Sequence, residues 1–207
     1  MIDLYSAPTA NGHRVSIMLE ECGLPYRAIM VDLAGGEHLG AEVLAVNPVG
    51  QIPAIRDSEG PDGAPLVLAE SLAILRYLTE KAGRLLPTTA TTRAEADRWC
   101  SIVEAGIQPN FSAIHYAKAL IGDPAAPLIA KFRERIERYL PVMDSRLAHS
   151  GWLAGETISY VDLYALPVVA TSFPAFAIDL AAYPAIRRWR DVLLARPAVA
   201  RGLSVPG

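Results

Sequence analysis

Several features that would point to other classes of protein are missing from this chain of 207 residues. It has two cysteines, Cys22 and Cys100, and no Cys-x-x-Cys pair, which excludes a disulfide scaffold and suits a reducing compartment. Lysine and arginine number 19 against 22 aspartates and glutamates, so no basic surface for nucleic acid is expected. The four histidines are scattered, without the spacing of a metal site.

The chain also lacks a long apolar run. Its longest charge-free apolar stretch, residues 163–178, contains Pro167 and Pro174 and is too short to span a bilayer, so it predicts a buried helix and a turn. The first residues do not show the basic-then-apolar pattern of a signal peptide. We therefore expect a cytoplasmic protein that has neither a membrane nor a nucleic acid as its partner.

Residues 1–83 alternate strand and helix patterns in the order βαβαββα. Short apolar runs predict the strands, and apolar residues at helical spacing predict helices that end at Gly23 and Gly83. Asn11 is the expected N-cap of the first helix. The predicted strands cover 2–5, 26–31, 52–56 and 66–68, and the predicted helices cover 12–22, 40–46 and 71–81.

A threonine-rich linker over residues 84–92 ends this region, and residues 93–207 show helical patterns without strand alternation. Thr92 and Glu95 have the spacing of a capping box that starts a helix, and Pro109 is expected to end or kink that helix. The expected fold is therefore α+β, with a βαβαββα domain at 1–83 followed by an all-α domain at 93–207.

Three further signals lie in the second part of the chain. A single long helix with a charged face is predicted over residues 128–148, where several arginines indicate a solvated surface with salt bridges. Residues 159–162 (Ser-Tyr-Val-Asp) form a second capping box, and a last helix is predicted to begin after Tyr183-Pro184 and to end near 195–197.

Two short motifs in the first part predict a binding pocket. A proline at the start of a strand leaves an edge free, and if the Ile52-Pro53 bond is cis, the backbone groups of Ile52 face outward to pair with an extended peptide. Glu70 and Ser71 stand at the mouth of a helix, where free N–H groups favour an anion. A backbone slot beside an anion slot describes a site for a small acidic peptide.

The chain resembles the soluble glutathione transferases over essentially its whole length. Four segments carry the resemblance, each similar to a feature of that family. They are residues 47–53 (the loop before the cis-proline), Glu70-Ser71 (the γ-glutamyl clamp), residues 159–162 (the buried capping box) and residues 183–197 (the closing helix). The family implies a thioredoxin-like first domain, a homodimer and glutathione as co-substrate. Residues 8–12 (Pro-Thr-Ala-Asn-Gly) are similar to the bacterial Nu class and the Ure2-like proteins, which implies disulfide reduction without a catalytic cysteine.

The glutathione thiol needs donors that stabilise its thiolate, and the start of the first helix offers them. We expect Thr9 and Asn11 to hold the thiolate, against the alternative that Thr9 is a turn residue and Asn11 only a cap. Tyr5 and Ser6 are weaker candidates. Tyr5 lies within a strand and is expected in the core or between the two lobes, and Ser6 ranks below Thr9 on resemblance only. Cys22 lies on the apolar face at the far end of the helix, so a buried, inert thiol is expected.

The remaining binding residues follow from the two motifs. Ile52 and Pro53 are expected to hold the peptide backbone, and Glu70 and Ser71 the γ-glutamyl end. Gln51 is placed to reach the glycine end of glutathione. His38 is a further candidate there, although a lone loop histidine is usually just solvated.

The expected function is glutathione-dependent thiol-disulfide exchange, with transferase or peroxidase activity alongside it. Residues 49–51 follow the general family pattern, which leaves conjugation of electrophilic compounds as an alternative. A non-catalytic glutathione-binding carrier or regulatory dimer is the second alternative, since fold does not fix function.

Overall fold

The computed structural model describes residues 1–206, and their contacts group into two compact units. The first unit comprises residues 1–86 together with the segment from Leu193 onward, and the second comprises residues 87–192. Within the described residues, no helix is both long and apolar enough to cross a bilayer.

The first unit is built on a four-stranded sheet, and its predicted order βαβαββα is confirmed. Short 3₁₀ turns occur at Glu37–Leu39 and Pro61–Gly63. The strands are β1 (Ile2–Ser6), β2 (Tyr26–Met30), β3 (Ala54–Asp57) and β4 (Leu66–Ala69), and the helices are α1 (Ala10–Cys22), α2 (Ala41–Leu44) and α3 (Ser71–Ala82).

The strand order is β2-β1-β3-β4, with β1 parallel to β2 and antiparallel to β3, and β4 antiparallel to β3. Tyr5 pairs with Ala54, and Ala54 pairs with Ala69. The end of β1, the start of β3 and the end of β4 therefore lie side by side at one end of the sheet. The loops that leave these three points carry every predicted binding motif.

Tyr5 lies in the core beneath that end of the sheet. Its side chain is buried in a cluster with Val31, Val43, Val46 and Ala54. The expectation of a core tyrosine is confirmed, and the phenol is not presented to a ligand from this position.

The regular elements of the second unit are all helical within its described residues, as predicted. A wide π-helical turn, Ile102–Ile107, interrupts the helix just before Pro109, which confirms the expected break there. The helices are α4 (Ala90–Ser101), α5 (Gln108–Leu120), α6 (Ala126–Glu137), α7 (Leu140–Ser150), α8 (Tyr160–Pro167), α9 (Phe173–Ala175) and α10 (Pro184–Leu194).

Two predicted helix boundaries in this unit are wrong. Helix α4 is capped by Thr89, whose hydroxyl accepts the N–H of Thr92 at 3.1 Å while the Thr92 hydroxyl accepts the N–H of Thr89 at 3.0 Å. A threonine thus plays the part that the sequence pattern assigned to Glu95. The long helix predicted over 128–148 is two helices, α6 and α7, because Pro141 lacks the N–H needed to continue one and sits in the first turn of the next.

The capping box at residues 159–162 is confirmed and does more than cap α8. The carboxylate of Asp162 is fully buried and accepts the N–H groups of Ser159 and Leu153, both at 2.9 Å. It also accepts the indole N–H of Trp189 in α10 at 3.0 Å. Burial raises the pKa of the Asp162 carboxyl, and these donors oppose the shift. One side chain therefore ties three segments of the second unit together.

The chain returns to the first unit after α10 and forms α11 (Pro197–Leu203), a helix that the sequence pattern did not predict. The Ser16 hydroxyl in α1 donates to the carbonyl of Gly202 at 2.6 Å. A Cβ at Gly202 would lie 2.5 Å from the Cα of Ile17, so only glycine allows this approach. Arg196 also forms a two-pronged ion pair with buried Glu21. Helix α1 is therefore fixed against α11 and the residue before it through Ser16 and Glu21.

Candidate functional site

Helix α1 begins at a hydroxyl group that faces the end of the sheet. Thr9 is the N-cap, and its Oγ1 accepts the N–H of Gly12 at 3.1 Å. The prediction that Asn11 is the N-cap is wrong, because Asn11 lies inside the first turn. The Thr9 oxygen already accepts this bond, and no acceptor for its proton is found among residues 1–206, so the half-buried hydroxyl keeps its proton available for donation.

The loop before α1 is packed against the helix at Gly12. A Cβ there would lie 2.2 Å from the carbonyl oxygen of Ala7 and 2.4 Å from the hydroxyl oxygen of Ser6. Ser6 itself is fully buried, with its hydroxyl 3.4 Å from the Ala7 carbonyl oxygen. The side chain of Ser6 is thus inside the fold, whereas Thr9 in the same loop is half-buried.

Asn11 and Ser71 are brought together by a residue that the sequence reasoning missed. Arg14 is 2% exposed, and its Nη1 donates to Asn11 Oδ1 at 2.6 Å and to Ser71 Oγ at 3.4 Å. The signal that was available is an arginine on the apolar face of α1, three residues after Asn11. The start of α1 and the start of α3 are thereby joined.

The loop that leads into β3 is ordered by one amide side chain. Asn47 donates from Nδ2 to the carbonyl of Gln51 at 2.9 Å and accepts the N–H of Val49 at 3.1 Å. The Ile52-Pro53 bond is cis. No hydrogen bond to the Ile52 N–H or carbonyl is found within residues 1–206, so both groups are open to an extended peptide, as the motif predicts.

The two residues expected at the glycine end lie in adjoining segments. Gly50 runs against the backbone of His38, and a Cβ at Gly50 would lie 3.1 Å from the His38 carbonyl oxygen. Gln51 follows directly and is exposed. The Nδ1 atom of His38 is shielded from solvent and has no hydrogen-bond partner within the described residues, so it has capacity for a ligand oxygen.

The anion slot is at the first residues of α3. Glu70 has a φ of 69°, a left-handed conformation that costs a non-glycine residue about 1–3 kcal/mol and is often found at binding sites. Ser71 is buried, with 7% exposure, at the first position of this helix of 12 residues. Free N–H groups of the first turn and the helix dipole both favour a carboxylate here.

These parts fit a tripeptide with a thiol and two carboxylates. Tyr5, Ala54 and Ala69 are paired side by side at one end of the sheet. The segments that carry Thr9, Pro53 and Glu70 adjoin the strands at this same end. The site offers a hydroxyl donor at a helix N-terminus, an open peptide backbone and a second helix N-terminus. Hydroxyl and N–H donors aimed at a thiol favour its thiolate form.

The chain's own thiols are not part of this site. Cys22 is 7% exposed, and burial raises the pKa of its thiol to about 11. Cys100 is 1% exposed in the second unit. Both are small buried apolar residues, as predicted for Cys22.

Two family models match the chain. The model "Glutathione S-transferase, N-terminal domain" matches residues 10–81, and "Glutathione S-transferase, C-terminal domain" matches residues 101–197. The disulfide-bond oxidoreductase YfcG of Escherichia coli (strain K12) is 38% identical over 204 residues, which cover 98% of this chain and 94% of YfcG.

Solved structures give the same result. A glutathione transferase family member from Pseudomonas fluorescens Pf-5, with two glutathione molecules bound, is 36% identical and superposes with a TM-score of 0.92 over 99% of this chain and 93% of that one. A glutathione transferase from Pseudomonas putida, with one glutathione disulfide bound per subunit, is also 36% identical and has a TM-score of 0.91 over 100% of this chain and 92% of that one.

Proposed function

Because the chain belongs to the glutathione S-transferase family, we propose that it binds glutathione at this end of the sheet and activates the thiol for exchange with disulfides. The observation that carries the proposal is the unused donor capacity of Thr9 at the start of α1. In the same helix turn, Asn11 is joined through Arg14 to the anion slot at Ser71. The glutathione bound in one Pseudomonas relative and the glutathione disulfide bound in the other support the choice of ligand.

The residues of α1 would act on the thiol by lowering its pKa. A free thiol has a pKa of about 8.5, so only a few per cent is thiolate at neutral pH. The Thr9 hydroxyl and the Asn11 amide would donate hydrogen bonds to the sulfur, and the positive end of α1 would add to their effect. Both interactions favour the charged form and so raise the fraction of reactive thiolate.

The other contacts would fix the tripeptide in place. The open N–H and carbonyl of Ile52 would pair with the cysteinyl backbone, and the first turn of α3 with Ser71 and Glu70 would bind the γ-glutamyl end. His38 and Gln51 would hold the glycine carboxylate. Charge-assisted bonds of this kind are stronger than neutral ones, so the two carboxylates would supply much of the binding energy.

Disulfide exchange is favoured over conjugation by two relatives. YfcG is named a disulfide-bond oxidoreductase, and the Pseudomonas putida protein holds glutathione disulfide. Since Cys22 and Cys100 are buried, both reducing thiols would come from glutathione. Two glutathione molecules would give up two electrons and two protons in total, forming glutathione disulfide, and the substrate disulfide would be reduced to two thiols.

The alternative of a conjugating transferase rests on residues 49–51, which follow the general family pattern. A non-catalytic binding protein would keep the same pocket. The homodimer and the identity of the second substrate stay predictions, and light scattering after size-exclusion chromatography checks the first.

The test is reduction of 2-hydroxyethyl disulfide by glutathione, coupled to glutathione reductase. We expect activity that falls about 10²-fold in Asn11→Ala, as for loss of one donor to a developing anion. Cys22→Ala is the matched control and should stay near wild type. Glutathione binding without disulfide turnover would refute the exchange proposal, and turnover with an aryl halide would then favour conjugation.

A further inference from the structure

One buried cation contacts both ends of the proposed site. Arg14 is 2% exposed and lies in the second turn of α1, where a positive charge opposes the helix dipole. Its Nη1 donates to Asn11 Oδ1 at 2.6 Å and, over a longer distance of 3.4 Å, to Ser71 Oγ. The two acceptors belong to the thiol end and the γ-glutamyl end of the site.

A guanidinium group only donates hydrogen bonds, and this fixes the polarity of its neighbours. The oxygen of the Asn11 amide must face Arg14, so the NH₂ group of that amide faces the opposite way. The Ser71 oxygen likewise accepts from Arg14, so its proton must be directed elsewhere. Both side chains are thereby arranged as donors to whatever lies beyond them.

We propose that Arg14 is a positioning residue that sets Asn11 and Ser71 as hydrogen-bond donors to the thiolate and the γ-glutamyl carboxylate. This inference rests on the proposed function and adds the residue that orients its two anion contacts. A single terminal nitrogen, Nη1, carries two N–H groups and reaches an acceptor on each of two different helices. Its charge also favours anions at both ends.

Two substitutions of Arg14 should give different results, because they differ in whether the new side chain can accept a hydrogen bond. Arg14→Lys keeps a donor without an acceptor, so the Asn11 amide keeps its orientation. Arg14→Gln brings a carbonyl oxygen that accepts from the Asn11 amide and allows the amide to turn over. Both new side chains are shorter than that of arginine, so a loss of packing alone would change the two variants' thiol pKa and kinetics to a similar extent.

The experiment is a pH titration of the thiolate absorbance of glutathione bound to each variant, with steady-state kinetics of disulfide reduction. We expect the thiol pKa in Arg14→Gln to rise by about one unit, with kcat at neutral pH lowered and KM for glutathione raised. Arg14→Lys should keep most of the wild-type lowering. Thermal unfolding of each variant checks that it is folded.

A second comparison tests whether Arg14 acts through Asn11. In an Asn11→Ala background, Arg14→Gln should raise the thiol pKa by much less than it does with Asn11 present, because the amide is already gone and only the effect of the lost charge is left. An unchanged pKa in Arg14→Gln, or an equal further rise without Asn11, would overturn the inference. If the thiol pKa of glutathione bound to wild type equals its value in solution, the proposed function itself is refuted, whatever the Arg14 variants show.

Discussion

Replacing Asp162 by alanine should destabilise the helical unit more than any cap substitution at its surface. The Asp162 carboxylate is fully buried and accepts N–H groups from Leu153, Ser159 and Trp189 at 2.9–3.0 Å. Alanine removes the acceptor and leaves all three donors in place. Leu153, Ser159 and Trp189 are themselves 0–3% exposed, so water does not replace the lost partner.

The magnitude follows from those three donors. Each buried donor left without an acceptor costs about 1–3 kcal/mol, so three together cost at least about 3 kcal/mol. That is a large part of the roughly 5–15 kcal/mol that stabilises a typical protein. Asp162→Asn should cost less, about 2 kcal/mol, because it keeps the shape but turns one acceptor into a donor facing another donor.

Guanidinium unfolding followed by tryptophan fluorescence measures this loss. All three tryptophans, at positions 99, 152 and 189, lie in the helical unit, so the signal reports on it. Asp144→Ala is the matched control: Asp144 is half-buried and accepts the N–H groups of Ala185 and Ile186, so about 1 kcal/mol is expected. If Asp162→Ala cost no more than Asp144→Ala, the reasoning from buried donors would be refuted.

Two further predictions concern the first unit. Gly12→Ala should lower stability by about 1–3 kcal/mol and weaken glutathione binding at least about tenfold, because the new Cβ displaces the loop that carries Thr9. Calorimetry with glutathione checks this, and Gly155→Ala, which meets one methyl group at 3.1 Å, is the near-neutral control. Burial raises the pKa of Asp57, but Tyr77, the Glu59 N–H and Lys81 outweigh it and hold that pKa below its usual range. The ionised Asp57 therefore stabilises the fold above its unfolded pKa of about 3.9, and this contribution is lost as the pH falls. The difference in free energy of unfolding between wild type and Asp57→Asn should narrow on acidification. A difference that stays constant with pH contradicts this.

The element order of the first unit could be predicted because it follows from local patterns. Helix α1 ends at Gly23 with a φ of 66°, as glycine after an apolar helical face predicts. The capping box of residues 159–162 was also predictable, since its partners are three residues apart. The cis Ile52-Pro53 bond and the helix start at Glu70-Ser71, where we propose that glutathione binds, were predictable for the same reason: each is a short run with its own backbone chemistry.

The sequence alone could not decide between two candidate N-caps of the same helix. Thr9 and Asn11 are both good N-caps, and the choice depends on where the Gly12 contact with Ala7 places the end of the loop. Likewise, Thr89 and Thr92 both have a side chain that can cap α4, and the structure places Thr89 at the cap and Thr92 three residues later.

The sequence by itself determined the strands and most of the helices, the burial of both thiols and the position of the proposed peptide-binding loop, because neighbouring residues specify these features. Only the tertiary structure decided what completes the site. Arg14 meets Ser71 across 57 residues of chain, and Ser16 meets Gly202 across 186. Contacts at such separations depend on how the elements pack, and no local periodicity encodes them.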